Sequence, residues 1–178
     1  LEGMGDMDEV AREKGSIFSG LIGAGVAVIN ADDAYANSWR AMAGAHRVCS
    51  FGIDHPADVH GKVHQHGLET ELTLVAPEGE ATIRLRVPGR HNARNALAAA
   101  AACLAAGVSM APVVEGLQGF GGVKGRLQRR AGKLGAEILD DTYNANPDSV
   151  RAGIDVLAAT IGRKLLVLGD MGEIGEAS

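Results

Sequence analysis

Apolar positions change their period twice along this chain, from helical to alternating and back, and each stretch predicts its own kind of element. Asp6 and Glu9 have the spacing of an N-terminal capping pair, and Val10, Lys14, Ile17 and Leu21 follow at helical intervals, which predicts a helix over residues 7–21. Gly25-Val26-Ala27-Val28-Ile29-Asn30 is a short β-branched run followed by polar Asp32 and Asp33. That pattern suits a buried parallel strand whose carboxyl end reaches a surface. A helix over 33–43 and a strand over 47–52 complete a β-α-β unit, for which a right-handed crossover is expected.

From His60 the period becomes two. Leu72 and Leu74 alternate with threonines, Pro77-Glu78-Gly79-Glu80 supplies turn chemistry, and Ala81, Ile83, Leu85 and Val87 alternate with Thr82, Arg84 and Arg86. An antiparallel hairpin with one wet face follows. Helical spacing then returns in an alanine-rich helix over 92–106, closed by Gly107, and in a shorter helix over 110–120. Gly121-Gly122-Val123-Lys124-Gly125-Arg126 reads as a hinge, which puts a domain boundary between 1–124 and 125–178. Beyond it come a strand over 137–141, a helix capped by Asn146 with Pro147 in its first turn and running to about residue 160, and a second buried strand over 163–170. The fold class is α/β.

Asp140-Asp141-Thr142-Tyr143-Asn144-Ala145-Asn146-Pro147 joins the carboxyl end of a strand to the amino end of a helix. α/β proteins place ligands at such turns, where backbone N–H groups point into an open crevice, so an anionic small molecule is the expected ligand. Net charge sharpens this. At -5, with no Lys/Arg cluster, the chain is not built as a general binder of nucleic acid or anionic membranes. An apolar fraction of 46% suffices for a sizeable core. Cys49 and Cys103 lie far apart without metal spacing and read as reduced core thiols. No stretch is long and apolar enough for a membrane span and none resembles a signal peptide, so a cytoplasmic protein is expected. Leu1 at one end and a fresh Gly-Asp turn near Ser178 at the other give the expectation of a fragment of a longer protein.

Candidate chemistry is sparse. His60, His64 and His66 fall on one strand face, but no cysteine or well-spaced carboxylate completes a metal set, and solvated strand histidines are the simpler reading. Asn92 and Asn95 share a helical face, and a carboxamide offers the donor and acceptor that an adenine edge requires; a helix cap is the competing role. Taken alone, Lys14 is a solvated helix lysine.

Seven stretches in order carry a resemblance: Leu1-Glu2-Gly3, Lys14-Gly15-Ser16-Ile17-Phe18, Asn30-Ala31-Asp32, Gly89-Arg90-His91-Asn92-Ala93-Arg94-Asn95-Ala96-Leu97-Ala98, Gly125-Arg126-Leu127, residues 140–147 and Gly169-Asp170-Met171. Together they resemble the Mur ligases, the ATP-dependent amide-forming enzymes of peptidoglycan synthesis. Residues 140–147 and the Gly-Asp-Met stretch look most like the member that adds D-alanyl-D-alanine to UDP-N-acetylmuramoyl-tripeptide. The resemblance implies the C-terminal part of the central ATP-binding domain over 1–124, parallel strands with helices plus an antiparallel hairpin. It also implies the beginning of a Rossmann-like C-terminal domain over 125–178.

It also implies an acyl phosphate mechanism with ATP and Mg2+. Lys14 matches the lysine carried as a carbamate, which turns a cation into an oxygen ligand for magnesium. Asn92 and Asn95 match the adenine contacts, Arg126 an arginine that reaches the nucleotide, and Asp141 the acidic residue on the ribose. Tyr143, Asn144 and Asn146 are expected at the phosphates or the incoming dipeptide, with a plain cap as the other role for Asn146. No Gly-x-x-x-x-Gly-Lys-[Ser/Thr] phosphate loop occurs in the chain, so the chain alone is expected to be inactive. Two alternatives stand beside this: a folylpolyglutamate or cyanophycin type ligase, and a noncatalytic nucleotide-binding module.

Overall fold

A computed structural model describes residues 6–171; the Leu1-Glu2-Gly3 stretch lies outside the described residues. Five strands form one mixed sheet in the order β1 (Val26–Asn30), β2 (Arg47–Gly52), β3 (Val59–His66), β4 (Glu69–Ala76), β5 (Gly79–Leu85). β1 and β2 are parallel over their whole length, with Val26 opposite Arg47 and Asn30 opposite Phe51. β2 and β3 are parallel at only two positions, Phe51 opposite Val59 and Gly52 opposite His60. So slight an overlap explains how residues 53–58 can join parallel strands that usually need a crossover of a dozen residues. β3, β4 and β5 then run as an antiparallel meander.

Helices cover both faces near β1 and one face elsewhere. α1 (Met7–Gly15) and α2 (Ala36–Met42) bury Ala27, Ile29, Ala36 and Ala43 together with Phe18, Leu21 and Trp39. α3 (Arg90–Ala105) and α4 (Met110–Gly119) cover the other face, where Leu72, Leu74, Ile83, Val59 and Leu97 are fully buried. Small residues set how closely α3 approaches. A Cβ at Gly61 of β3 would lie 2.4 Å from Leu97 Cδ1, and Ala93, Ala100 and Ala101 are fully buried in the same interface. On the uncovered face His64 and His66 stand exposed opposite Glu71 and Glu69, and among the described residues no three His, Cys, Asp or Glu side chains gather to hold a metal.

The second unit is smaller. β6 (Gln128–Ala131) and β7 (Glu137–Asp140) pair antiparallel around a tight turn at Lys133–Gly135, and α5 (Pro147–Ala158) follows. It reaches back to the first unit: a Cβ on Gly89 would come 2.9 Å from Val156 Cγ2 of α5.

Three local expectations are corrected, and one strand is added to them. The first helix ends at Gly15 and tightens to a 3-10 turn over Ser16–Gly20. Ser16 and Ser19 hydroxyls donate to the carbonyls of Glu13 and Ser16, which competes with the α-helical ladder. β6 carries too little apolar patterning to announce itself, being held by ion pairs from Arg129 to Glu137 and Arg130 to Asp140. Residues 163–170 form no strand, because the described residues offer them neither a neighbouring strand nor layers for their apolar side chains. Cys103 is exposed on the outer face of α3 rather than in the core, while Cys49 is half-buried with its thiol pKa raised, chiefly by burial. No helix among the described residues is long and apolar enough to cross a membrane.

Candidate functional site

The turn after β7 is built by its own polar side chains. Asp140 accepts the Thr142 hydroxyl at 2.7 Å and the Thr142 N–H at 3.3 Å. Those bonds hold the Asp140 carboxyl below its usual range, helped by the charges of Arg130 and Lys124 against a smaller burial effect. Asn144 turns its carbonyl oxygen onto the Ala145 N–H at 2.9 Å. Asn146 caps α5: its oxygen accepts the Ser149 N–H at 2.9 Å while the Ser149 hydroxyl accepts the Asn146 N–H at 3.0 Å, a reciprocal capping box. The capping role for Asn146 is therefore present in full.

Asp141 and Tyr143 tie this turn to the hinge. Asp141 Oδ1 accepts the Leu127 N–H at 3.0 Å, leaving its second oxygen uncommitted. The Tyr143 N–H donates to the Gly125 carbonyl at 3.0 Å, and the Arg126 guanidinium lies 4.4 Å from the centroid of the Tyr143 ring, a cation–π pair on the surface. Gly125 has φ +73°, and a Cβ there would meet the Tyr143 nitrogen at 3.0 Å. The sequence Gly-Arg-Leu thus works as a closely packed joint, not a loose tether.

Opposite stands the start of α3. It begins at Arg90, two residues before the expected Asn92, with Gly89 as N-cap at φ +100°. Neither asparagine is the cap. Asn92 Nδ2 donates to the Pro88 carbonyl at 2.8 Å, which leaves its acceptor oxygen available, and Asn95 is exposed. His91 precedes them in the first turn, half-buried. Burial pushes its pKa down, the Asp141 carboxylate pulls it up, and Arg94 adds to the lowering.

A carboxylate network with no nucleotide role in the sequence reading anchors that helix start. Asp32, at the end of β1, accepts the N–H groups of Ile53 at 2.7 Å, Asp54 at 2.9 Å and His55 at 2.9 Å, and lies 3.3 Å from His55 Nδ1. Burial alone would raise its pKa, but these hydrogen bonds together outweigh burial and bring it to about 2. Arg94 Nε, shielded from water and without a hydrogen bond of normal geometry, sits 3.5 Å from Asp32 Oδ2. Asp54 pairs with both Arg90 and Arg94. The spacing of the arginines, one turn apart, is legible in the sequence; Asp54 itself gives no signal there.

The expected site residues therefore fall into two groups. Arg126, Asp141, Tyr143, Asn144 and Asn146 share one turn and hinge, and Asn92 and Asn95 lie in the first two turns of α3. Lys14 is exposed in the last turn of α1, and among the described residues no hydrogen bond or ion pair joins it to the others. As an ammonium it would repel a cation, so the described residues do not by themselves compose a magnesium site.

Two family models match the chain. Residues 1–103 match the Mur ligase middle domain, and residues 125–178 match the Mur ligase, glutamate ligase domain. The UDP-N-acetylmuramoyl-tripeptide--D-alanyl-D-alanine ligase of Escherichia coli is 41% identical over an alignment of 187 residues, which takes in 100% of this chain and 40% of that protein. A crystal structure of MurF from Acinetobacter baumannii superposes with a TM-score of 0.91 at 38% identity, covering 98% of this chain and 38% of that one. The MurF ligase of Thermotoga maritima, solved in complex with ADP, gives 0.82 at 25% identity over 98% of this chain and 40% of that one. The chain spans about 40% of the length of the curated relatives it matches. With more than half its residues matching the middle-domain family and a second family match following, the chain belongs to the Mur ligase family.

Proposed function

We propose that the chain supplies part of the ATP site of a ligase that joins D-alanyl-D-alanine to UDP-N-acetylmuramoyl-tripeptide. The observation that supports this is the contact of α5, which follows the Asp141 turn, with the start of α3 just before Asn92, where a Cβ on Gly89 would lie 2.9 Å from Val156 Cγ2. The relatives at about 40% identity bear that ligase's name. In this reading residues 1–124 belong to the central domain and 125–178 to a C-terminal domain. Asn92 and Asn95 read the adenine edge, the free oxygen of Asp141 accepts from the ribose, and Arg126 swings from Tyr143 towards the phosphates. Tyr143, Asn144 and the N-terminus of α5 behind Asn146 face phosphate or dipeptide.

A free carboxylate is a poor electrophile, so the tripeptide carboxylate first attacks the γ-phosphorus of ATP and ADP leaves. The dipeptide amine then adds to the acyl phosphate, and the tetrahedral intermediate expels inorganic phosphate as the amide forms. Magnesium would offset phosphate charge, and Lys14, once carbamylated, would offer it oxygen. Because ATP and nucleotide-linked precursors are cytoplasmic metabolites, the cytoplasm is the proposed location.

The decisive assay follows phosphate release by the whole gene product with ATP, magnesium, D-alanyl-D-alanine and UDP-N-acetylmuramoyl-tripeptide. Release that requires all of them is expected; release indifferent to the dipeptide would overturn the reading. The 178-residue chain alone should give no release above background. Lys14→Ala should abolish turnover and respond to added short carboxylic acids; full activity without them would remove Lys14 from the mechanism.

A further inference from the structure

We infer that Asp54 is a positioning residue for nucleotide recognition, an inference that rests on the reading of Asn92 and Asn95 as adenine contacts. α3 begins on Gly89, which has no side chain to cap it, and no other side chain caps its first turn. The start of the helix is fixed instead from the side. Arg90 and Arg94 stand one turn apart and both end on Asp54, the first on Oδ1 and the second 3.3 Å from Oδ2. Asp54 cannot drift, because its own N–H and those of Ile53 and His55 are held by the buried Asp32 carboxylate, which also draws in Arg94.

At roughly 100° per residue, the midpoint of the Arg90/Arg94 stripe lies about 150° around the helix from the midpoint of the Asn92/Asn95 pair. The arginines thus grip the back of the first two turns while the carboxamides face away. Hydrogen bonds to a flat base edge are steeply directional, so a small rotation of these turns misaligns both asparagines. Arg90 and Asp54 side chains are 48% and 49% exposed, and an ion pair so open to water adds little stability. Its effect belongs to orientation.

The test uses the whole gene product with Asp54→Asn, which keeps shape and loses charge, and Arg90→Gln on the other side of the pair. Each should raise the KM for ATP about fivefold while kcat and the KM for D-alanyl-D-alanine stay within about twofold. Asp54→Glu should recover most of the loss. Unchanged ATP KM in both variants, or losses carried equally by kcat, would overturn the positioning role while leaving the proposed ligase standing. Should the unmodified protein turn over no substrate, ADP titration of the same variants still decides: weaker binding supports the role, and equal binding or none at all sinks it.

Discussion

Asp141 accepts the N–H of Leu127 at 3.0 Å, and Leu127 is a buried residue held at φ +47°, a left-handed backbone that a branched side chain rarely adopts. One carboxylate oxygen therefore secures the strained joint between hinge and β6, and the other accepts no hydrogen bond among the described residues. Structure and proposed binding are separable at this residue.

Asp141→Asn keeps an acceptor for Leu127 but loses the charge. The melting temperature of the whole gene product should stay close to that of the unmodified protein while the KM for ATP rises about tenfold, the scale of one charge-assisted hydrogen bond. Asp141→Ala also releases Leu127, which should add a destabilisation of about 1–3 kcal/mol. Equal melting temperatures for the two variants would show that the Leu127 bond carries no strain.

Asp32 should set the acid limit of the first unit. Its folded pKa, about 2, lies below the unfolded value near 3.8, so its contribution is complete above about pH 4 and is lost as pH falls through about 2. The shift corresponds to about 2 kcal/mol. Trp39, the single tryptophan, reports on this unit, since its Nε1 donates to the Ala11 carbonyl at 2.8 Å. Urea unfolding followed by Trp39 fluorescence should show stability falling between about pH 4 and pH 2, and Asp32→Asn should be less stable at neutral pH with a flatter acid limb. An unchanged acid limb would mean that other carboxylates dominate.

Gly89→Ala combines two faults. The backbone sits at φ +100°, and the new methyl would lie 2.9 Å from Val156 Cγ2 and 2.7 Å from the His91 ring. A destabilisation of about 1–3 kcal/mol is expected, together with weaker ADP binding, since the methyl pries the α3 start away from α5. Calorimetric titration with ADP checks the second effect, and undiminished affinity would mean that α5 does not seat this helix.

Much of this was legible in the residues. Alternation fixed β4 and β5 because one face is buried and the other wet, and Asn146 with Pro147 marked the start of α5 to the residue. The pair Asn92/Asn95 and the turn 140–147 were visible as polar clusters at element ends. The grip on Arg90 and Arg94 was not, because Asp54 lies in an irregular loop whose course is dictated by Asp32, and a contact across 40 residues leaves no local pattern. β6 escaped for a related reason. Its residues Gln128-Arg129-Arg130-Ala131 have no apolar alternation, and only the partner strand makes them a strand.

The apolar run Leu165-Leu166-Val167-Leu168 bears on how the isolated chain behaves as a colloid. Three of the four side chains are more than half exposed, and the run has no strand partner among the described residues. An apolar strip of that kind is a template for a second copy of itself. Light scattering by the isolated 178-residue chain should rise steeply with concentration, and Val167→Lys should suppress it. Scattering that stays flat, or that ignores the lysine, would assign the strip no part in association.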